Sequence, residues 1–338
     1  MRVLVTGGAG YIGSQTVRLL KSAGHEPVVL DTLEHGDRRS VPGVELVEGS
    51  IADAPLVRGL LAEREIEAVL HFAALKAADE SVREPGRYFD TNVGGSLTVL
   101  AAMEAAGVDR FVFSSSCAVY GEPEALPIDE DAPVRPENPY GESKLLVERA
   151  VPWFAANGLS YVSLRYFNAA GAQLDGQHGE DWRQAPNLVP MAIKAALRQT
   201  PLQIFGTDYP TPDGTAVRDY VHVVDLAAAH VAALDHLAAG RPSTVLNLGT
   251  GRGASVREVI DAVEQVSGCT IEAIEAPRRP GDPAAVWADS RRAEQTLGWA
   301  AQHGIGEIVD SAVRWHRLHP DGYDTPPAEE ALAGSSRG

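Results

Sequence analysis

The stretch "TGGAGYIGS" at residues 6–14 decides how this chain is read. It follows an apolar run, "RVLVT" at 2–6, and opens onto a segment where Val17, Leu19 and Leu20 recur at helical spacing. Gly8, Gly10 and Gly13 satisfy G-x-G-x-x-G, and Gly7, Gly10 and Gly13 satisfy the G-x-x-G-x-x-G variant. Between a strand and a helix, such glycines allow a tight turn, let the main chain approach a pyrophosphate, and let helix pack closely on strand. The phosphates then meet free N–H groups at the helix start. Glycine-rich turns are common, so the motif alone is weak. Here a carboxylate strengthens it: Asp31 closes the next apolar run, "PVVLD" at 27–31, 18 residues beyond Gly13, where a ribose-binding acid belongs. Asp31 would accept hydrogen bonds from a 2′-hydroxyl and repel a 2′-phosphate, which favours NAD over NADP.

Working outward, short β-branched runs alternate with helical stretches as far as Phe167. Further candidate strands are "VELVE" (44–48), "EAVLHF" (67–72), "RFVFSS" (110–115) and "YVSLRYF" (161–167). Apolar strands that alternate with helices imply a parallel sheet covered on both faces, so the fold class is α/β, doubly wound and Rossmann-type. Beyond Phe167 the rhythm changes. Residues 171–186 form a polar, glycine-bearing loop long enough to be a binding loop or lid. A helix near 187–199, a strand at 202–205, a helix near 225–239 and "TVLNLGT" at 244–250 follow. Ser255 and Glu258 fit a capping box that opens another helix. We expect a dinucleotide-binding domain over 1–167 and a smaller mixed α/β substrate domain over 168–325, part of which is free to rejoin the first sheet. The tail from Pro326 lacks periodicity and is expected to be disordered.

Composition narrows the function classes. With 29 basic and 46 acidic residues among 338, the net charge is −17, which disfavours sequence-independent nucleic-acid binding. Cys117 and Cys269 stand far apart, so neither a disulfide framework nor a metal site is expected from them, and the ten histidines form no metal-binding motif. The first apolar run is too brief for a signal peptide or membrane helix, and cytoplasmic residence is the default.

"NPYGESK" at 138–144 places Tyr140 four residues before Lys144, on one face of a helix. Alone, this pair is equally an ordinary solvated face. Beside a nicotinamide it acquires a reason: oxidising a secondary alcohol requires a base for the hydroxyl proton, and a phenolate can serve. Free tyrosine has a pKa near 10, so neighbouring positive charges must stabilise the phenolate, Lys144 being one and an oxidised nicotinamide the other. "SSSCAVYG" at 114–121 ends the preceding strand, and Ser116 is the candidate hydroxyl for the same substrate oxygen.

Together these motifs resemble the extended short-chain dehydrogenase/reductase family. "HFAALKAADESV" (71–82), "LRYFNAAGA" (164–172), "IFGTDYPTPDGTAVRDYVHV" (204–223) and "PRRPGDPAAVWAD" (277–289) are similar to its UDP-galactose 4-epimerase branch, a likeness spanning about residues 1–324. It implies interconversion of UDP-glucose and UDP-galactose through a transient 4-keto sugar, with bound NAD regenerated in every cycle. It implies a cofactor site that uses Gly7, Gly10, Tyr11, Ile12 and Gly13 of the first turn, with Asp31, Thr32, Ser50 and Ile51 beyond it. Phe72, Ala73, Ala74 and Lys76 would line the cofactor side, and Asn92 the nicotinamide region, with Ser114, Tyr140, Lys144 and Tyr166 completing the site. Toward the substrate, Lys76, Ser116 and Tyr140 would be joined by Asn168, Asn187 and Leu188 near the sugar or its diphosphate. Arg218 and Arg279 would grip the diphosphate, Tyr220 and Asp282 the uridine ribose, and the main chain around Gln203 and Phe205 the uracil. A homodimer paired through helices near 79–107 and 140–157 is also implied.

Thr32 stands where such relatives usually have asparagine, and Ser50 replaces an aspartate that resembles the adenine-binding one. Val286 occupies a position that is tyrosine in some relatives, and a shorter side chain there leaves room for an N-acetyl group, as in UDP-GlcNAc and UDP-GalNAc. A UDP-glucuronate or UDP-pentose 4-epimerase is an alternative, as are a nucleotide-sugar dehydratase or decarboxylase and a non-catalytic NAD-sensing protein. Dehydratases and decarboxylases carry acidic residues directly after the active-site hydroxyl. Cys117 and Ala118 follow Ser116 here, which favours simple epimerisation.

Overall fold

The structure, a computed structural model, describes residues 1–182, 185, 187–279 and 281–324. The tail from Pro326 lies outside the described residues. The first half alternates as its sequence implies: β1 (Arg2–Thr6), α1 (Tyr11–Ser22), β2 (Glu26–Asp31), β3 (Glu45–Glu48), α2 (Ala54–Glu63) and β4 (Ala68–His71). After β4 come α3 (Ala78–Arg83), α4 (Pro85–Tyr88), a π-helical turn at Phe89–Gly94, α5 (Gly95–Ala106), β5 (Arg110–Ser114), α6 (Pro139–Ala155) and β6 (Ser160–Tyr166). The second half holds β7 (Asn168–Ala170), α7 (Leu188–Arg198), β8 (Leu202–Phe205), β9 (Val217–His222), α8 (Val223–Ala238) and β10 (Thr244–Leu248). It ends with β11 (Gly253–Ser255), α9 (Val256–Ser267), β12 (Ala273–Ala276), β13 (Ala285–Val286), α10 (Arg291–Leu297) and α11 (Ile305–Leu318).

Seven strands form one sheet in the order β10-β6-β5-β4-β1-β2-β3, every pair parallel. Its strands read as apolar runs because both faces are covered. On one face Val3, Val5 and Val29 pack in a core with Val17 and Leu20 of α1 and Leu226 and Leu234 of α8. On the other, Leu4, Val28 and Phe111 meet Val57 of α2, Leu100 of α5 and Val147 of α6. The order of winding reverses between β1 and β4, and the crevice beyond the carboxyl ends of those strands is where such sheets bind ligands.

β10, from "TVLNLGT", rejoins this sheet in parallel beside β6, with Thr244 opposite Val162. A separate core forms where α7, α9 and α11 bring Ile193, Val263 and Val309 together with Leu202 and Tyr220. The capping box at α9 is present, with Ser255 and Glu258 each accepting the other's main-chain N–H. Sequence reading omitted β7, β9, β11, β12 and β13, four of which join in one small sheet around β9 while β12 pairs with β8. These are pieces of two to six residues. Runs that short seldom show a period of their own.

Candidate active site

The glycine turn has the geometry its residues allow. Gly7 adopts a left-handed φ of +69°, and a Cβ there would meet Ala73 N at 2.5 Å; a Cβ on Gly13 would meet Gly7 O at 2.3 Å. Any larger residue would force the turn away from the segment after β4 and lift α1 off β1. No side chain caps α1 at Gly10, so the N–H groups of its first turn face outward without a side-chain partner. Asp31 is buried at the end of β2, where Oδ2 accepts from Ala9 N and Oδ1 from Leu33 N, each at 2.9 Å. Burial pushes its carboxyl up while the two amides pull it down. Each carboxylate oxygen has a second lone pair, which suits a ribose diol. An open helix N-terminus, two glycines that admit no Cβ and a buried acid at the next strand end together fit NAD.

Thr32 and Ser50 close local turns, accepting from Glu34 N at 3.4 Å and Ala52 N at 3.1 Å, and Ile51 is buried beside them. Asn92, expected to line the nicotinamide region, joins two segments. It donates to Leu75 O and Ser143 Oγ, each at 3.0 Å, and accepts from Leu75 N at 2.8 Å. Both of its N–H groups are used, so it braces the Leu75–Lys76 segment against α6.

Asn138 caps α6 by accepting from Gly141 N at 2.9 Å, and Pro139 fills the first position, where a missing N–H costs nothing. From that start Tyr140, Lys144 and Glu148 fall on one face. That face rests on the end of β5, where consecutive serines meet it. Lys144 Nζ donates to Ser114 O at 2.8 Å and lies 5.1 Å from the Phe113 ring centre. The Ser115 hydroxyl donates to Glu148 Oε1. The Ser116 hydroxyl faces the Tyr140 phenol, whose pKa it lowers, and accepts from Ala118 N at 3.2 Å. Ser116, Tyr140 and Lys144 are thus brought together.

Their electrostatics follow from burial. Burial pushes the Tyr140 phenol up to about 12, against the downward pull of Ser116, and lowers the Lys144 ammonium to about 7 against the opposing charge of Glu148. Burial is the largest cause of both shifts, as expected for groups whose charged forms lose water. Tyr166 stands nearby, raised by burial and by the Tyr140 charge against the downward pull of Ser114. The Ser114 hydroxyl also meets His230 Nε2 at 2.8 Å, and the His230 ring lies 4.5 Å from that of Phe72.

The loop after β7 lies across the glycine turn. Tyr11 Oη donates to Gly171 O at 2.6 Å, His178 Nε2 pairs with Ser14 Oγ at 2.8 Å, and Lys76 Nζ sits 2.9 Å from Glu180 Oε1. Lys76 is therefore held by an acid that no motif in the sequence pointed to. At the other end, Arg218 of β9 pairs with Asp282 and donates to Pro283 O at 2.8 Å. The two residues expected to grip separate parts of a nucleotide pair with each other here, and the carboxylate aims the guanidinium. The Arg218 charge also lowers the Cys117 thiol, next to Ser116, although burial leaves that thiol at about 12 overall. Tyr220 is buried opposite Asn168, and Val286 lies opposite Arg218 on β13. Arg279 stacks its guanidinium 3.9 Å from the Phe205 ring centre, on β8 with Gln203. Asn187 and Leu188 begin α7. Among the described residues no group of three His, Cys, Asp or Glu could hold a metal ion.

A profile of the NAD dependent epimerase/dehydratase family matches residues 3–249. A UDP-glucose 4-epimerase of Azospirillum brasilense is 50% identical, over 94% of this chain and 92% of its own. Among solved structures, a UDP-glucose-4-epimerase from Stenotrophomonas maltophila with bound NAD and formylated UDP-arabinopyranose superposes with a TM-score of 0.91 at 43% identity, covering 95% of this chain and 99% of that one. One from Bifidobacterium longum, in complex with NAD+ and UDP, gives 0.90 at 41% identity, covering 95% and 100%.

Proposed function

The chain belongs to the NAD dependent epimerase/dehydratase family, and on that premise we propose that it epimerises UDP-hexoses at C4, interconverting UDP-glucose and UDP-galactose. The observation that carries the proposal is the meeting of Ser116, Tyr140 and Lys144 at the end of β5, in the same sheet whose first turn and Asp31 fit NAD. Bound NAD supplies a reversible acceptor for the hydrogen on C4, so none is consumed. The remaining work belongs to the chain. Tyr140 Oη takes the O4 proton and later returns it, and Ser116 Oγ orients both that oxygen and the phenol. Lys144, fixed on Ser114 O, adds the positive charge that a phenolate needs. Arg218, aimed by Asp282, holds the diphosphate, with Arg279 as a second fork.

Residues 1–167 supply the dinucleotide half of the site and most of 168–325 the sugar-nucleotide half. We assign a homodimer through α3, α5 and α6, supported by the outward-facing Val82, Leu97 and Trp153, which are 63%, 38% and 77% exposed. No helix among the described residues is long and apolar enough to cross a membrane, which suits a cytoplasmic enzyme. The test is to incubate the purified protein with a panel of UDP-sugars without adding NAD. C4 epimers of UDP-hexoses support the proposal, and dehydrated or decarboxylated products, or none, contradict it.

A further inference from the structure

One buried ion pair beneath the site has no part in the reaction as described. The Glu148 carboxylate, 8% exposed, receives Arg165 Nη2 at 2.6 Å and Arg165 Nε at 3.0 and 3.1 Å, while the Ser115 hydroxyl donates to its Oε1. Arg165 lies on β6, is itself buried, and is held in turn by Tyr120, to whose hydroxyl it donates at 2.9 Å. Tyr120 then donates to Asn247 on β10 at 2.7 Å. The pair therefore ties α6 to β5, β6 and β10 at once.

Spacing connects this network to the chemistry. Residues 140, 144 and 148 stand one helical turn apart on α6, and each meets a different serine of the run 114–116. A slip of α6 along β5 would disturb all three contacts together. The Ser115–Glu148 contact is the one reinforced by a bidentate ion pair, the stiffest kind of side-chain link. A buried ion pair replaced by apolar groups often leaves stability unchanged, so stability alone does not account for a charged pair here.

We propose that Glu148 is a positioning residue for the epimerisation, a role that rests on the reaction assigned above. Held between Arg165 and Ser115, its carboxylate fixes α6 in register on the end of β5 and faces Lys144 from one turn away, favouring the ammonium form of the buried amine. The other ionisable groups around this pair are Tyr140 on α6, His71 on β4, and Tyr161 and Arg165 on β6. His71, lowered to about 3 by burial and by the Lys144 charge, is neutral at working pH, and Tyr161 is raised by burial and by Glu148. Glu148 is thus the one carboxylate among these groups.

The chain has four lysines, so labelling the lysine ε-carbon lets NMR follow Lys144 directly in the NAD-loaded protein, with Lys144→Met giving the assignment. In Glu148→Gln the Lys144 resonance is expected to titrate at least about one pH unit lower than in the unaltered protein. The alkaline limb of kcat should move the same way, with KM for UDP-galactose within about twofold. The double variant E148Q/R165M also removes the Arg165 cation that loses its carboxylate in the single variant, and is expected to show the same direction of shift if the single variant does not fold. A folded variant whose Lys144 titration stays in place overturns the proposal. A protein that shows the shift but epimerises no UDP-sugar overturns the assigned reaction while keeping the coupling of Glu148 to Lys144.

Discussion

Lys144 Nζ donates to the main-chain oxygen of Ser114 at 2.8 Å, which ties the ammonium to the strand end that also supplies Ser116. Its charge is thereby placed by the backbone and not by a mobile side chain. Replacing it with methionine keeps the stem but removes the charge, and kcat for UDP-galactose should fall by about 10²–10⁴. A loss smaller than about tenfold would show that the phenolate is stabilised by something else.

Arg218 is aimed by Asp282, so the two should act as one unit on the diphosphate. Asp282→Asn is expected to raise KM for UDP-galactose about tenfold with kcat within about twofold, the pattern of lost uniform binding. Steady-state kinetics on both parameters checks this, and a selective fall in kcat would place Asp282 in the chemistry instead.

The described core holds His71, His178, His222, His230 and His316 in buried positions. Burial lowers them to about 3, 3, 4, 4 and 3 respectively. Unfolded histidine titrates near 6.5, so between the two values the unfolded chain binds more protons. Stability should therefore be full above about pH 6.5 and decline below it, by about 1 kcal/mol for each such histidine at pH 5.5. Urea titrations from pH 7.5 to 4.5 test this; a midpoint that stays level to pH 5 would mean that these rings are protonated in the native state.

Much of this was legible in the sequence, for physical reasons. The strands that became β1 to β6 are apolar runs bounded by glycine or charge, and Asn138-Pro139 is a helix start wherever it occurs. Tyr140 and Lys144 could be paired because a helix fixes the spacing of its faces. Extending that spacing one more turn reaches Glu148, a signal present in the sequence and not used. Other contacts had no local signal. Glu180 meets Lys76 across 104 residues, and His178 meets Ser14 across 164. The Arg218–Asp282 pairing and the bracing role of Asn92 likewise arise only once distant segments converge. Such partners stand too far apart in sequence for any motif to pair them.

Val286 lies on β13 in register with Arg218. If a side chain shorter than tyrosine leaves room beside the sugar C2, UDP-GlcNAc and UDP-GalNAc should be interconverted, and Val286→Tyr should lose that activity at least about tenfold more than activity on UDP-galactose. Turnover of UDP-GlcNAc by Val286→Gly but not by the unaltered protein would show that valine already closes the pocket.

The central claim is that one phenol shuttles the O4 proton. The direct measurement follows UDP-galactose by proton NMR with the purified protein and its Tyr140→Phe variant, each without added NAD, alongside a count of bound nucleotide. The account predicts UDP-glucose from the unaltered protein, at least about a thousandfold slower conversion by Tyr140→Phe, and equal nucleotide content in both. Equal rates of conversion by the two proteins would contradict it.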